Sequence, residues 1–184
     1  MAKHLVIAVD WYGPYSAAEA KLKLSDFQSE GLYFALGKNG NSRSKSPQYV
    51  GISTDLKKRV NPQHTTLSKI EDIEIWLGEV GTARPSGRNI KSTPQTLDYS
   101  EWLLAYFMDV PLNKKKTQSI PDVAVSLLNR WWKKDYATPR ARRPHPDWPD
   151  FIDYLGHDYP ARMVWFGGRA ERMKPPFEGR LRLD

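Results

Sequence analysis

Two tyrosines, an arginine and a glutamate are the residues of this chain whose types could perform chemistry on a phosphate ester. Hydrolysis of a phosphodiester needs a base for the attacking water, a cation for the non-bridging oxygens and help for the leaving alkoxide. Tyr33 and Tyr49 could provide the base, because a phenol, whose pKa is ordinarily about 10, becomes a plausible base beside a cation. Arg59 could supply that charge and bind phosphate oxygens with its planar guanidinium. Glu101 could hold Mg²⁺ or Mn²⁺, since Mg²⁺ often uses only one or two carboxylates.

Each of these residues also has an ordinary structural interpretation. Tyr33 and Tyr49 could pack together as a cross-strand aromatic pair. Arg59 could be a solvated residue of a short basic helix. Glu101 lies on the apolar face of a helical pattern, where a carboxylate is costly without a partner, so it could form a buried pair with Arg59.

The elements that must position these residues follow from hydrophobic patterns and helix caps, in the order β-β-α-β-α over residues 31–113. The predicted elements are a strand at 31–36, a strand at 48–53, a helix from about Thr54 to Arg59, a half-buried strand at 73–80 and a helix from Thr93 to about Met108. The Gly- and Ser-rich residues 37–47 between the first two strands contain no apolar residue and predict a long loop.

Further elements are predicted on both sides of this core. Residues 4–9 predict a strand and residues 17–24 a short helix, with a turn between them. Residues 120–134 predict an amphipathic helix, and the proline-rich residues 137–149 an extended segment. The fold class is therefore α/β (α+β), with a small mixed sheet flanked by helices.

Composition limits the class of protein. The chain has 184 residues, of which 40% are hydrophobic and 27% charged, which excludes wholesale disorder. It contains no cysteine, which excludes a disulfide framework, a thiolate metal site and a cysteine nucleophile. The longest apolar run, from Trp102 to Met108, is too short to span a membrane. These features predict a cytoplasmic protein with no membrane partner.

Positive charge is concentrated towards the C-terminus, which indicates a polyanionic partner. Residues 1–113 hold 13 basic and 12 acidic residues, whereas residues 114–184 hold 15 and 9. Tryptophans lie among these charges, and Trp148 could either stack on nucleic-acid bases or belong to the core. The residues predicted to contact nucleic acid, most readily double-stranded DNA, are Arg43, Lys45, Lys114, Lys115, Lys116, Arg130, Trp132, Lys133, Lys134, Arg140, Arg142 and Arg143.

The order of motifs resembles the GIY-YIG nuclease family. Gly31-Leu32-Tyr33 and Tyr49-Val50-Gly51 match the two motifs that name the family, and Arg59, Glu101 and Asn113 follow in the family's order. The resemblance covers residues 31–113 and implies a metal-dependent endonuclease core, preceded by an extension over residues 1–30 and followed by a nucleic-acid-binding extension over residues 114–184. It implies catalytic roles for Tyr33, Tyr49, Arg59, Glu101 and Asn113, with Glu101 as the metal ligand.

His64 is a further candidate for proton transfer, although the sequence departs from the family at this point. The family usually places a histidine one position closer to the arginine than His64 lies to Arg59. The segment between the two tyrosines, residues 34–48, is also longer than usual. A restriction or defence endonuclease is the favoured role. The alternatives are a repair, mobile-element or structure-specific nuclease, and an inactive nucleic-acid-binding module on the same fold.

Overall fold

The computed structural model describes residues 4–24, 30–40, 42–60, 64–81, 93–114, 116, 123–156, 159–167 and 172–174, with no side-chain description for the last three. Within these ranges, eight strands form one mixed sheet. They are β1 (Leu5–Tyr15), β2 (Gly31–Lys38), β3 (Ser46–Ser53), β4 (Glu71–Val80), β5 (Val125–Trp132), β6 (Phe151–Tyr154), β7 (Ala161–Val164) and β8 (Arg172–Lys174). The order is β3-β2-β4-β1-β5-β6-β7-β8, and β1 and β5 are the parallel pair in an otherwise antiparallel sheet.

Helices cover both faces of this sheet. They are α1 (Ala17–Lys23), α2 (Leu56–Arg59) and α3 (Pro94–Phe107). The capping box of Ser16 and Glu19 starts α1, and Thr93 caps α3 with Pro94 in its first turn, as the sequence predicts. In the described part of the chain, no helix has the length and apolar character that a membrane crossing requires.

The pleat of the sheet separates two hydrophobic cores. The α3 face holds Leu103 of the helix with Trp11, Phe34 and Trp76 of the strands, and the α1 and α2 face holds Tyr33 with Leu56 and other residues. Trp148 is fully buried in the α3-face core, stacked on Phe34 with ring centroids 4.0 Å apart. Trp148 is therefore a core residue, which decides between the two interpretations that the sequence left open.

The predicted amphipathic helix over residues 120–134 is wrong, because the described part of this segment contains strand β5. Its residues pair in parallel with β1 from Leu5↔Val125 to Tyr12↔Trp132. The dense apolar run of this segment fits a strand as well as a helix, and its Val and Trp content favours a strand. Pairing beside β1 also buries Asn129, whose Oδ1 accepts a hydrogen bond of 2.8 Å from the indole N–H of Trp11.

The sheet has more strands than the sequence predicts, and its strands come from all three predicted segments, residues 1–30, 31–113 and 114–184. β1 continues to Tyr15, through residues predicted as a turn, and lies between β4 and β5. β6, β7 and β8 form after residue 150, where the sequence has only weak periodicity. The α+β class with a mixed sheet is confirmed, as are the strands at β2, β3 and β4.

Candidate active site

The register of β2 and β3 brings the two motif tyrosines together. Tyr33 lies opposite Gly51 and Ala35 lies opposite Tyr49, so both phenol rings stand on the same face of the sheet. Their ring centroids are 5.7 Å apart. Gly51 leaves the space that the Tyr33 ring occupies, since a Cβ on Gly51 would lie 2.5 Å from the Tyr33 hydroxyl oxygen. The two tripeptide motifs therefore form one packed unit.

Arg59 reaches this unit from the short helix α2. Asp55 caps the helix by accepting a hydrogen bond from the backbone N–H of Lys58, and Leu56 is buried beneath it. The exposed guanidinium of Arg59 lies beside the phenol groups of Tyr33 and Tyr49, and Tyr33 is the main reason why the pKa of Arg59 is raised above its ordinary value. Arg59 is thus a cation that lies beside both phenols and is open to solvent.

The two tyrosines differ in their access to solvent. Tyr33 is fully buried, and its hydroxyl makes no well-aligned hydrogen bond within the described residues although Arg59 and Tyr49 lie beside it. Burial raises the pKa of Tyr33 above its ordinary value, Tyr49 adds to this effect and Arg59 opposes it. Tyr33 therefore stays protonated at neutral pH, whereas Tyr49 is only half-buried and lines a cleft.

His64 lies at the edge of the tyrosine pair, with its ring centroid 6.4 Å from that of Tyr49. Partial burial lowers the pKa of His64, and the nearby charge of Arg59 lowers it further. The imidazole is therefore neutral at neutral pH. Its Nδ1 accepts a hydrogen bond of 3.3 Å from the backbone N–H of Thr66, which places the ring proton on Nε2.

Glu101 and Tyr49 face the same cleft, which has a volume of about 410 Å³. Its lining residues are Tyr49, Thr66, Lys69, Glu101, Leu112, Asn113, Lys114 and Lys116. The Glu101 carboxyl is half-buried and forms no hydrogen bond or ion pair with the described residues, so the predicted pair with Arg59 is not formed there. Burial raises the pKa of Glu101 to about 7, with Lys116 acting in the opposite direction.

This environment fits a divalent cation. A half-buried carboxylate without a partner gains free energy when a cation neutralises it. Among the described residues, no three His, Cys, Asp or Glu side chains cluster as a metal-binding group. Glu101 would therefore be a single protein carboxylate ligand, with water and substrate oxygens completing the coordination, which is common for Mg²⁺.

Asn113 forms hydrogen bonds with the backbone of the edge strand β3 beside the site. Its Oδ1 accepts a hydrogen bond of 2.9 Å from the Val50 N–H, and its Nδ2 donates one of 2.6 Å to the Val50 carbonyl. The adjacent Leu112 N–H donates to the carbonyl of Gln48. Since Val50 lies between Tyr49 and Gly51, Asn113 acts as a positioning residue for both motif residues.

We expect Asn113→Ala to destabilise the protein by about 2 kcal/mol, because it leaves the buried N–H and C=O of Val50 unpaired. Urea unfolding measures the effect. An Asn113→Ala protein with unchanged stability would contradict this role.

The predicted lysine run reaches the cleft in part. Lys114 and Lys116 line it, whereas Lys115 lies outside the described residues. Lys116 forms an ion pair with Asp98, and its ammonium group lies 4.7 Å from the ring centroid of Trp102. Sequence reasoning missed Lys69 and Thr66, which line the same cleft. No motif marks them, because a short 3₁₀ turn after β3 and α2 brings them there.

The other predicted nucleic-acid contacts lie away from this cleft. Four of these cations are in ion pairs: Lys45 with Glu74, Arg130 with Asp10, Lys134 with Glu19, and Arg143 with Asp150. Trp132 is half-buried and donates its indole N–H to Asp10. The other predicted cations outside the cleft of Tyr49 and Glu101 are Arg43, Lys133, Arg140 and Arg142.

A second groove adjoins the site on the other side of Arg59. It has a volume of about 540 Å³ and is more apolar, with Ile52, Pro94 and Leu97 in its walls and Asp98 at its edge. Arg59 therefore stands where a polar, lysine-lined cleft and an apolar groove approach each other along β3 and α3. The site therefore presents a polar surface and an apolar surface side by side.

The raised pKa of Glu101 predicts a stability effect. The folded protein holds the proton of Glu101 up to about pH 7, whereas the unfolded chain releases it near its ordinary value, so stability falls as pH rises through this window. Without divalent cations, Glu101→Gln should remove this decrease and stabilise the protein at pH 8 by about 3 kcal/mol. Urea unfolding at pH 5 and pH 8 in EDTA tests this. A steeper pH dependence in the variant would contradict it.

The phenol of Tyr49 and the carboxyl of Glu101 line a cleft that also contains lysines, and the guanidinium of Arg59 and the neutral imidazole of His64 lie beside Tyr49. This combination of groups is suited to chemistry on a phosphate ester. No protein-family model, no curated protein and no solved structure matches the chain.

Proposed function

We propose that this protein is a metal-dependent endonuclease that hydrolyses phosphodiester bonds in DNA. The observation that carries the proposal is that Tyr49 and Glu101 line one lysine-lined cleft, with Arg59 of the neighbouring groove beside Tyr49. The resemblance of residues 31–113 to GIY-YIG nucleases supports the same assignment. A restriction or defence role inside the cell is the favoured setting.

The residues would share the chemistry as follows. Arg59 would bind the non-bridging oxygens of the scissile phosphate and stabilise their developing charge. Tyr49, open to the cleft and close to Arg59, would first lose its phenol proton to solvent and would then, as a phenolate, take the proton of the attacking water. The neutral His64 would donate a hydrogen bond through its Nε2–H nearby, and a water molecule would protonate the leaving alkoxide. A divalent cation held by Glu101 would supply Lewis-acid stabilisation of a phosphate oxygen.

Tyr33 would have a different role from the one that the sequence assigns to it. Its hydroxyl is enclosed and lies outside the cleft lining, so the proposal makes it a positioning residue that orients Arg59 and Tyr49. The raised pKa of Tyr33 keeps its phenol protonated in this role. Asn113 would position the opposite side of Tyr49.

A plasmid assay tests the proposal. Supercoiled DNA is incubated with the protein and Mg²⁺, with Mn²⁺, or with EDTA, and nicked and linear products are counted. Cleavage that requires a divalent cation and disappears in Tyr49→Phe would support it. Cation-dependent binding without cleavage of any DNA form would instead support the inactive nucleic-acid-binding module.

We expect Arg59→Lys to reduce turnover by at least about 10²-fold, as for the loss of one preorganised donor. Lysine keeps the charge but loses the planar pair of donors that can bind two phosphate oxygens. Single-turnover cleavage rates measure the effect, and Lys58→Arg on the exposed side of the same helix is a matched control. Near-normal turnover with lysine would contradict bidentate phosphate binding.

A further inference from the structure

A second cleft lies beside β5, where the proline-rich segment passes the start of β6. It has a volume of about 550 Å³, and its lining residues are Trp131, Arg140, Ala141, Arg142, Arg143, Pro146, Asp150, Phe166 and Gly167. None of these residues lines the cleft that holds Tyr49 and Glu101, so the second cleft is a separate one.

The walls of this second cleft are held together by one buried carboxylate. Asp150 accepts hydrogen bonds of 2.6 Å from the Arg143 guanidinium and of 2.6 Å from the backbone N–H of Phe166. Arg143 also donates a hydrogen bond of 2.7 Å to the Phe166 carbonyl. This network neutralises Arg143 and fixes the turn at Phe166 against the proline-rich segment, so the cleft is preformed.

Two arginines of the second cleft keep their charge uncompensated. Arg142 is exposed and forms no ion pair or hydrogen bond with the described residues. Arg140 donates one hydrogen bond of 3.3 Å to the carbonyl of Gly13, and its guanidinium lies 5.2 Å from the ring centroid of Trp76. Their positive charges face a cleft whose carboxylate, Asp150, is already bound by Arg143. The cleft is therefore complementary to an anion.

An aromatic ring completes the cleft. Phe166 exposes 57% of its surface, which is unusual for a phenylalanine, and it lines the same cleft as the arginines. Planar guanidinium groups bind phosphate oxygens in pairs, and an open aromatic face stacks on a nucleobase. An acidic peptide would satisfy the arginines but would leave the ring in water. The combination favours a nucleotide.

We propose that the second cleft binds an unpaired nucleotide of a nucleic-acid strand, with phosphate on Arg140 and Arg142 and the base against Phe166. The nucleotide must be unpaired, because the faces of bases inside a duplex are covered by their neighbours. A volume of about 550 Å³ lies in the ordinary range for a small-molecule site. The inference rests on the proposed function only for its context, since binding here needs none of the cleavage residues.

Binding of a short fluorescent oligothymidylate, followed by anisotropy in EDTA, tests the proposal. Glu101→Gln serves as the background, so that cleavage cannot occur and loss of activity cannot alter the result. Adding Arg142→Ser and Phe166→Ala to it should weaken binding at least 10-fold and lower the salt slope by about 0.7 for the lost phosphate contact. The matched control is Arg162→Ser, an exposed arginine of β7 outside the cleft, which should bind as the background does.

A strand carrying a fluorescent purine analogue distinguishes stacking from charge. Its emission should be quenched by the background protein and by Arg142→Ser at saturation, but not by Phe166→Ala or Phe166→Leu. Equal binding by all variants would overturn the proposal. So would displacement of the strand by polyglutamate at equal charge concentration, because it would show that the cleft selects charge alone. Circular dichroism and thermal unfolding confirm that each variant is folded.

Discussion

Plasmid cleavage by Glu101→Gln should fall at least about 10³-fold below that of the wild-type protein in Mg²⁺. Glu101 is the acidic residue among those that line the catalytic cleft, so its loss removes the carboxylate ligand of the proposed metal. A bound cation contributes several kcal/mol of charge stabilisation, and each 1.36 kcal/mol changes a rate about tenfold. Initial cleavage rates at saturating protein measure the loss, with DNA affinity measured in parallel by gel shift.

The control is Asp98→Asn, which removes a negative charge one turn earlier on the same helix. Asp98 pairs with Lys116 and lines the neighbouring groove, so we expect its loss to leave cleavage within about tenfold of normal. DNA binding should persist in both variants, because the lysines of the cleft are unchanged. Full activity in Glu101→Gln, or equal losses in the two variants, would show that Glu101 is not a metal ligand.

The second large effect is expected for Gly51→Ala. The added Cβ would lie 2.5 Å from the hydroxyl oxygen of Tyr33, and the enclosed Tyr33 ring has no free space to move into. We expect a loss of about 3 kcal/mol in the free energy of unfolding. Cleavage should fall at least about 10²-fold, since displaced rings would misplace Arg59. Urea unfolding and plasmid cleavage report the two effects.

Gly40→Ala is the matched control for this substitution. Gly40 has a φ of +59° in the β2–β3 connection, and a Cβ there would meet no atom within 4 Å. Its cost is therefore the backbone strain of about 1 kcal/mol alone, with cleavage unchanged. If Gly51→Ala were as mild as Gly40→Ala, close packing of Tyr33 against β3 would not be required for the site.

Local signals explain the elements that the sequence predicted correctly. The caps at Ser16 and Thr93 determine where α1 and α3 begin, and alternation in residues 73–80 predicts β4. Adjacent strands at β2 and β3 sufficed to predict that Tyr33 and Tyr49 would meet. These properties depend on residues that are close together in the sequence, so a local pattern is enough to predict them.

Long-range pairing explains most of what the sequence could not predict. The strand conformation of β5 depends on β1, more than a hundred residues earlier, and helical spacing competes with it locally. The burial of the Tyr33 hydroxyl depends on Gly51 and on helix α2 together. Lys69 enters the catalytic cleft through a turn that no motif marks. Such features arise from packing between distant segments, which no local pattern records.

The central place of β1 in the sheet has a consequence for synthesis on the ribosome. Val9 of β1 pairs with Val80 of β4 on one side and with Asn129 of β5 on the other. Because β1 precedes both strands in the chain, it is synthesised before either of them is available for pairing. At ordinary elongation rates this wait lasts on the order of ten seconds, during which an apolar strand has two open edges. Trp148, which fills the core between Trp11 and Phe34, arrives later still. A product that ends before β5 and Trp148 should therefore expose the apolar faces of Trp11 and Phe34, which the complete chain buries.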